Sequence, residues 1–266
     1  MMSIWTIIAF TSVIASLLAA VFIWSRINRY PQKMKVMNAV WILTALWGSW
    51  IAVWAYLRFG ENKEHKKLKI QDGMDASPEM PMEGMNMERK SKKGMQKAGM
   101  SGDGMQMTGM NMSMSGSARP FWQTVTLSAL HCGAGCTLAD IIGESIGYLG
   151  FRELAGWSVY WQWTFDYLLA LIIGVLFQYA AIHPMTQMPV GQTLWRAFKI
   201  DFFSLTSWQI GMYFWVYIIF FIFPAEIFTP NTMIFWFVMQ IAMLVGFLFA
   251  YPINYILIKT GIKPGM

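Results

Sequence analysis

The chain has two cysteines, and both fall in one apolar stretch, residues 121–149, together with a histidine and two carboxylates. Four of these side chains follow one another at steps of four residues, and the histidine precedes the first; they are Cys132, Cys136, Asp140, Glu144 and His131. On an α-helix, residues four apart lie on neighbouring parts of one face. Thiolate, imidazole and carboxylate groups are ligands for soft and borderline metal ions. We therefore predict a functional stripe along one helix, with a metal ion as its ligand.

The sequence alone leaves several choices for this ligand. Two thiolates and an imidazole suffice for a two- or three-coordinate Cu(I) site, whereas zinc would need a fourth ligand, which Asp140 could supply. Haem is a third choice, with His131 and His183 as axial ligands. A stripe without metal is the structural alternative, because Gly133 and Gly135 are small residues that let membrane helices pack closely. The histidine and the carboxylates favour a functional site instead, since ionisable groups inside a membrane are costly.

A second group of soft ligands lies in a methionine-rich tract, residues 74–114, which holds 12 of the 23 methionines. Thioether sulfur is soft and neutral and suits Cu(I). Many of these methionines are two residues apart, so two or three could wrap one ion. The predicted ligands are Met105, Met107, Met110, Met112 and Met114. A linker or an adaptable apolar surface is the alternative. The tract has too few aliphatic residues to fold alone, so we predict that it is disordered without a ligand.

Six weaker candidates lie in the later apolar stretches: Asp166, His183, Met185, Asp201, Met239 and Met243. The two aspartates could form a proton path, or structural ion pairs with a histidine or a lysine. His183 and Met185 flank Pro184 and could hold a soft ion where a helix ends, but a histidine that caps the last carbonyl groups explains the same pattern. The two late methionines are four residues apart and could face the stripe, or they could only fill the membrane core.

The composition is that of a membrane protein, with 56% hydrophobic residues, 13% charged residues and 14 tryptophans. Soluble domains carry about 25% charged residues, and tryptophan is enriched where helices meet the membrane surface. Apolar runs of spanning length recur about six times without polar alternation. The predicted fold class is therefore all-α, a polytopic transmembrane helical bundle. The net charge of +6 lies in the connections, which favours the lipid bilayer as a partner and excludes nucleic acid.

We predict three segments: a two-span N-terminal membrane hairpin at 1–58, a flexible loop rich in Met, Gly and Lys at 59–119, and a four-span core domain at 120–266. With six spans, both termini and the loop share one side, which holds 15 of the 20 Lys and Arg residues. The positive-inside rule places that side in the cytoplasm. Thioether ligands are most useful where thiolates would oxidise, which favours the outside, so both orientations stay open. The expected location is the cell membrane, and in a bacterium the inner membrane.

From His131 onward the sequence resembles a bacterial and archaeal family of small multi-pass membrane proteins known only as a domain of unknown function. The matching residues begin with segment 131–144, HCGAGCTLADIIGE, and continue through Asp166 and Asp201 to Gly261-Ile262-Lys263. The resemblance implies a membrane domain over about the last half of the chain, but it assigns no activity. It also implies an association with copper, because Met-rich and His-rich segments accompany members of this family.

Together these features predict a membrane protein that handles a soft metal ion, with Cu(I) as the suspected cargo and a copper-handling protein as a further partner. The loop would collect the ion and the stripe would receive it. Enzymatic activity is not expected, because the chain has no phosphate-binding glycine loop, no nucleophile elbow and no helical zinc-protease motif. A membrane haem or redox protein and a structural, partner-binding membrane protein are the alternatives.

Overall fold

The computed structural model describes residues 4–32, 34–61, 119–147, 149, 159–183, 189–222 and 229–265. Met185 and the five predicted ligands of the methionine tract, Met105, Met107, Met110, Met112 and Met114, lie outside these ranges. Across the described ranges the regular elements are helices, and six of them are long and apolar enough to cross a membrane. They are α1 (Ile4–Arg29), α2 (Lys35–Ala55, continued by a π-helical turn at Tyr56–Gly60), α3 (Phe121–Ile146), α4 (Val159–Ile182), α5 (Val190–Ile222) and α6 (Met233–Lys259). The predicted fold class, an all-α bundle of a multi-pass membrane protein, is confirmed.

The central element of the bundle is α3. In its most apolar window 78% of the residues are buried, against 50% or less in every other candidate span. The other helices turn large apolar side chains outward, such as Ile51 on α2, Leu176 on α4 and Phe221 on α5. Outward apolar faces suit a lipid surround, because lipid tails solvate them as well as a protein core would. The structure thus places α3, the least apolar of the six helices, where the others shield it.

Helices α3 and α4 pack in opposite directions along a seam of glycines. Gly135 of α3 lies against Gly174 of α4, and about two turns further along α3, Gly143 lies against Asp166. A Cβ atom at Gly135 would lie 3.0 Å from the Cα atom of Gly174, which is tighter than nine in ten Cβ contacts in proteins. Small residues at such contacts let membrane helices come together. The glycines of segment 131–144 are therefore packing residues.

The second apolar segment is broken at Ser49, whose backbone has φ 45° and ψ −128°. The chain reverses there, as contacts between its two halves show. The Trp41 ring packs against the Tyr56 ring at 5.4 Å and the Phe59 ring at 5.9 Å between centroids. In an unbroken helix, residues 15 positions apart would be separated by about 22 Å. The segment 35–60 is consequently a pair of short helices folded against each other.

Replacing Gly135 with leucine tests the glycine seam. We expect Gly135→Leu to force α3 and α4 apart and to lower the free energy of unfolding by ~3 kcal/mol or more, because overpacked cores cannot relax without moving backbone. Gly191→Leu is the matched control, since a side chain at Gly191 has open space around it. Thermal unfolding of the purified protein in detergent measures both. Equal stability of the two variants would contradict the packing described above.

Candidate functional site

All five residues of the predicted stripe lie on α3 and are buried inside the bundle. His131, Cys132 and Cys136 have no exposed surface, and Asp140 and Glu144 are 4% and 7% exposed. The helix rises about 1.5 Å per residue, so the stripe extends for about 20 Å from His131 to Glu144. Its side chains meet α4, α5 and α6 rather than lipid, as expected for ionisable groups that a membrane protein retains for a purpose.

The two thiols lie toward one end of the stripe, next to His131 in sequence. Both cysteines are free, and the Cys132 and Cys136 side chains interact directly. Asp201 of α5 lies beside Cys132. The Asp201 carboxylate is completely buried, and neither of its oxygens accepts a hydrogen bond of normal geometry. The structure therefore brings Asp201, predicted as a weaker candidate, to the thiol pair, and Gly174 of α4 leaves the space that its carboxylate occupies.

His131 lies on a different flank of α3 and does not complete a metal site with the thiols. Its ring faces the Phe177 ring of α4 at 6.1 Å between centroids, and neither ring nitrogen has a hydrogen-bond partner of normal geometry. Within the part of the chain that the structure describes, no group of three or more His, Cys, Asp or Glu side chains is arranged to hold a metal ion. The four-ligand arrangement that structural zinc requires is thus not formed by these residues.

Lys263 adds a cation to the thiol end of the stripe. The chain turns sharply after α6, with Gly261 in the left-handed region at φ 74°, and the Lys263 amide donates to the Leu257 carbonyl. This turn carries the side chain inward, where Nζ donates to Asn254 Oδ1 at 2.7 Å and to the Ser128 carbonyl at 3.3 Å. Lys263 is 1% exposed. Burial lowers the pKa of its ammonium, and the nearby Cys132 and Asp201 partly oppose that shift.

We call Cys132, Asp201, Asn254 and Lys263 the Lys263 cluster. Two further buried polar residues adjoin it: Asn254 donates to Ser204 Oγ at 2.7 Å, and the hydroxyl of Ser128, whose carbonyl accepts from Lys263, has no hydrogen-bond partner. Buried polar atoms are nearly always satisfied by protein or by ordered water. Several unsatisfied groups on neighbouring helices therefore indicate a place where water or an ion belongs.

The other end of the stripe is an acid cluster. Asp140 and Glu144 of α3 and Asp166 of α4 line one cavity of about 50 Å³, together with Met212 and Tyr213 of α5. Such a cavity has room for a few water molecules or one ion. Three carboxylates in a dry site repel one another when ionised, so the acid cluster must hold protons or a cation.

Gln162 and Tyr213 hold the acid cluster in position. Gln162 Nε2 donates to both Asp166 oxygens, at 3.1 and 3.2 Å, and to the Gly143 carbonyl at 3.1 Å. The Tyr213 hydroxyl donates to the Trp163 carbonyl at 2.7 Å, which ties α5 to α4. Both residues are polar and lie on predicted spans, which is a signal that the sequence displays. The sequence does not show which face of its helix each of them occupies.

The remaining candidates are divided between the site and the periphery. Met243 Sδ accepts a hydrogen bond from Trp208 Nε1 at 3.4 Å, and Met239 lines the acid-cluster cavity. His183 is exposed at the end of α4, where its ring lies 5.0 Å from that of Tyr179. It lies six residues, or about 9 Å, beyond the Phe177 ring that contacts His131. Neither histidine is therefore placed opposite the other, as a haem with two axial histidines would require.

The sequence predicts no role in the site for Lys263, which enters only as one of the residues that carry the family resemblance. The signal was present in Gly261, because a glycine shortly after a helix end predicts a left-handed turn that redirects the chain. It could not show that the turn would bring the ammonium back against Asn254.

Removing the Lys263 ammonium should destabilise the protein by ~1–3 kcal/mol, because Asn254 Oδ1 and the Ser128 carbonyl would be left buried without a donor. Lys263→Met is the test and Lys259→Met, on the exposed end of α6, is the control.

The same variant tests the pH dependence of stability. The folded-state pKa of Lys263 is below its ordinary value of 10.5, so between these two pKa values the unfolded chain binds more protons than the folded one, and stability rises with pH there. The stability difference between wild type and Lys263→Met should therefore grow from about pH 8 to about pH 10. Thermal unfolding at the two pH values measures it, and a difference that shrinks would contradict the burial of Lys263.

The comparison with protein families matches residues 121–263, that is, α3 to the turn that positions Lys263. The matching family is described as a domain of unknown function, DUF4396. No curated protein and no solved structure matches the chain. The resemblance to a family of unknown function is thereby confirmed, while the role of segment 131–144 as its defining motif stays a prediction. The match covers more than half of the chain and includes the helices and the turn that build the site, so this chain belongs to the DUF4396 family.

Proposed function

We propose that this protein handles a soft monovalent cation, with Cu(I) as its cargo, and that the cation passes into or across the membrane through the core of α3. The observation that carries the proposal is the pair of free, fully buried thiols at Cys132 and Cys136, which interact with each other between a buried ammonium and an acid cluster. Ordinary packing does not require two thiols and five ionisable groups along one buried path.

The donor set favours Cu(I) over zinc. Soft thiolates select Cu(I), and two of them are enough for a two-coordinate ion. Thiols must lose their protons when they bind a metal, and the Asp201 carboxylate beside Cys132 is a nearby acceptor for one of them. A bis-thiolate Cu(I) unit carries one negative charge, which the Lys263 ammonium would balance.

The acid cluster would serve the same cargo from the other end of the stripe. A cation in the cavity lined by Asp140, Glu144 and Asp166 would relieve the repulsion among these carboxylates. When the cation moves on, protons would take its place. Met212 and Met239 line the same cavity, so a soft ion would find thioether sulfur there as well as oxygen.

The methionine tract, a copper-handling protein and the cell membrane would be the other partners in Cu(I) handling. The methionine tract would collect Cu(I) from solution or from a copper-handling protein, and it would deliver the ion to the core. The membrane would be the cell membrane. A haem or redox protein is the less favoured alternative, because His131 and His183 lie apart on different parts of the bundle.

Titration of the purified full-length protein with Cu(I) against a competing chelator tests the thiol pair. We expect Cys132→Ser together with Cys136→Ser to bind one Cu(I) fewer per chain than wild type, because serine oxygen is a poor ligand for a soft ion. Thr137→Ser is the matched control: it lies between the cysteines and Asp140, and serine keeps the hydroxyl that donates to the Gly133 carbonyl.

Unchanged stoichiometry and affinity in the double variant would refute the thiol site. A visible absorption spectrum of the protein as purified would favour the haem or redox alternative, since Cu(I) bound to thiolates is colourless. Absence of Cu(I) binding by both the wild-type protein and the double variant would favour a structural, partner-binding role.

Asp140→Asn tests the acid cluster separately from the thiols. We expect the variant to bind Cu(I) at the thiol pair as wild type does, but to move it into proteoliposomes at least ~10-fold more slowly, because one of three charge-compensating carboxylates is lost. Ser145→Ala, an exposed change on the same helix, should transport normally. Wild-type transport by Asp140→Asn would exclude Asp140 from the path.

A further inference from the structure

The folded-back segment 35–60 begins and ends at the same face of the bundle. Arg26, near the end of α1, forms a salt bridge of 2.5 Å with Glu61, which directly follows the π-helical turn. On the same face, the Phe59 ring packs against the Trp122 ring at the start of α3, at 5.6 Å between centroids. The short connection between α1 and α2 therefore lies beside the point where the segment ends.

The reversal at Ser49 lies deep within the bundle. Fourteen residues, 35–48, precede it, and on a helix they rise about 21 Å, which is less than the roughly 30 Å of a hydrocarbon core. Trp47, next to the reversal, packs against Trp208 and Phe247 of the core helices. The inner side of the tip, at Trp47 and Gly48, is thus buried in protein, while Ile51 after the reversal faces outward. Contact with protein is the condition under which a chain can reverse at membrane depth.

The distribution of basic residues agrees with this geometry. If the segment does not cross, then the connections at 26–35, 58–119 and 183–199 and the turn after α6 all belong to one face. These segments contain every Lys and Arg of the chain except Arg152. A positive-inside pattern of this strength is typical of a real topology, whereas six crossings would divide the basic residues 15 to 5.

Beneath the tip, toward the opposite face, lies a cavity of about 350 Å³. The tip residues Leu46 and Trp47 form its roof, α1 contributes Ser16, and α6 contributes Gln240, whose amide donates to Ser16 Oγ and to the Leu46 carbonyl, both at 2.9 Å. Asp140 lines this cavity as well as the acid-cluster cavity, and its Oδ2 is buried without a hydrogen-bond partner. A crossing second helix would occupy this space.

We propose that residues 35–60 form a re-entrant hairpin. We further propose that the cavity beneath its tip, whose lining is mostly apolar with Asp140 and Gln240 among its few polar side chains, is a vestibule open to the face opposite to the basic residues, through which a soft monovalent cation reaches Asp140. The hairpin closes one half of the bundle and leaves the other half open. Three thioethers line the vestibule, those of Met233, Met239 and Met243. Because thioether sulfur binds soft metal ions, they favour a soft cation. Only the choice of cation rests on the proposed function; the hairpin and the vestibule do not.

Cysteine labelling with a membrane-impermeant maleimide tests the hairpin, in full-length protein with Cys132→Ser and Cys136→Ser as background. Lys35→Cys and Arg119→Cys should react from the same side of the membrane, and Thr229→Cys, in the turn before α6, from the other side. A spanning second helix would put Lys35→Cys and Arg119→Cys on opposite sides, and that result would overturn the proposal. Elution of each variant as a single peak on size exclusion, like the parent, identifies folded protein.

A small charged methanethiosulfonate tests the vestibule in the same background. Met239→Cys should react from the side of Thr229, because its sulfur would face water. Thr11→Cys is the control: it is exposed on the outer side of α1 at a similar distance from the start of its helix, so lipid should protect it. Failure of Met239→Cys to react, or reaction only from the side of Lys35, would overturn the vestibule. Neither labelling experiment uses copper, so a failed Cu(I) titration and a failed vestibule are distinguishable.

Discussion

Ionisable side chains are costly in the hydrocarbon of a bilayer, and the arrangement of this bundle follows from that cost. Helix α3 carries Asp140 and Glu144 on one face and His131 on another flank, so it can exist only where other helices enclose it on more than one side. The surrounding helices do so with outward apolar faces and inward polar groups. Gln162 supports the acid cluster and Asn254 supports the Lys263 cluster, so polar partners are supplied at both ends of α3.

The glycines of segment 131–144 show that packing and function are not alternatives here. Gly135 lets α4 approach α3, and Gly133 lets the Trp208 ring of α5 lie directly on the helix. Gly174 of α4 takes part in the same seam and leaves room for the Asp201 carboxylate, which lies next to Cys132. A larger residue at Gly174 would displace this carboxylate from the thiols as well as destabilise the seam.

The bundle is asymmetric along the membrane normal. On the side of the basic residues, the hairpin and the inward-turned Lys263 fill the space around α3. On the other side, two cavities reach Asp140, one from the acid cluster and one from beneath the hairpin tip. The thiol pair lies between the closed half and the open half.

Much of this was determined by the sequence alone. The long apolar runs could only be membrane helices, because lipid leaves no other way to satisfy the backbone of an unpaired chain, and the spacing of Cys132, Cys136, Asp140 and Glu144 fixed them to one side of one helix. Burial of that side followed from the energetic cost of its charges. These are properties of local periodicity and of residue chemistry, which a sequence displays directly.

Only the tertiary structure decided which residues from distant parts of the chain meet. Asp201 joined the thiols and Asp166 joined Asp140, whereas His131, adjacent to Cys132 in sequence, turned to Phe177, because a step of one residue rotates a helix by about 100°. Lys263 reached the core through a turn whose direction depends on contacts with α3. The reversal at Ser49 was hidden for the same reason: the run 35–60 is apolar throughout, and hydrophobicity is the same for a helix that crosses and for one that folds back against its own tryptophan.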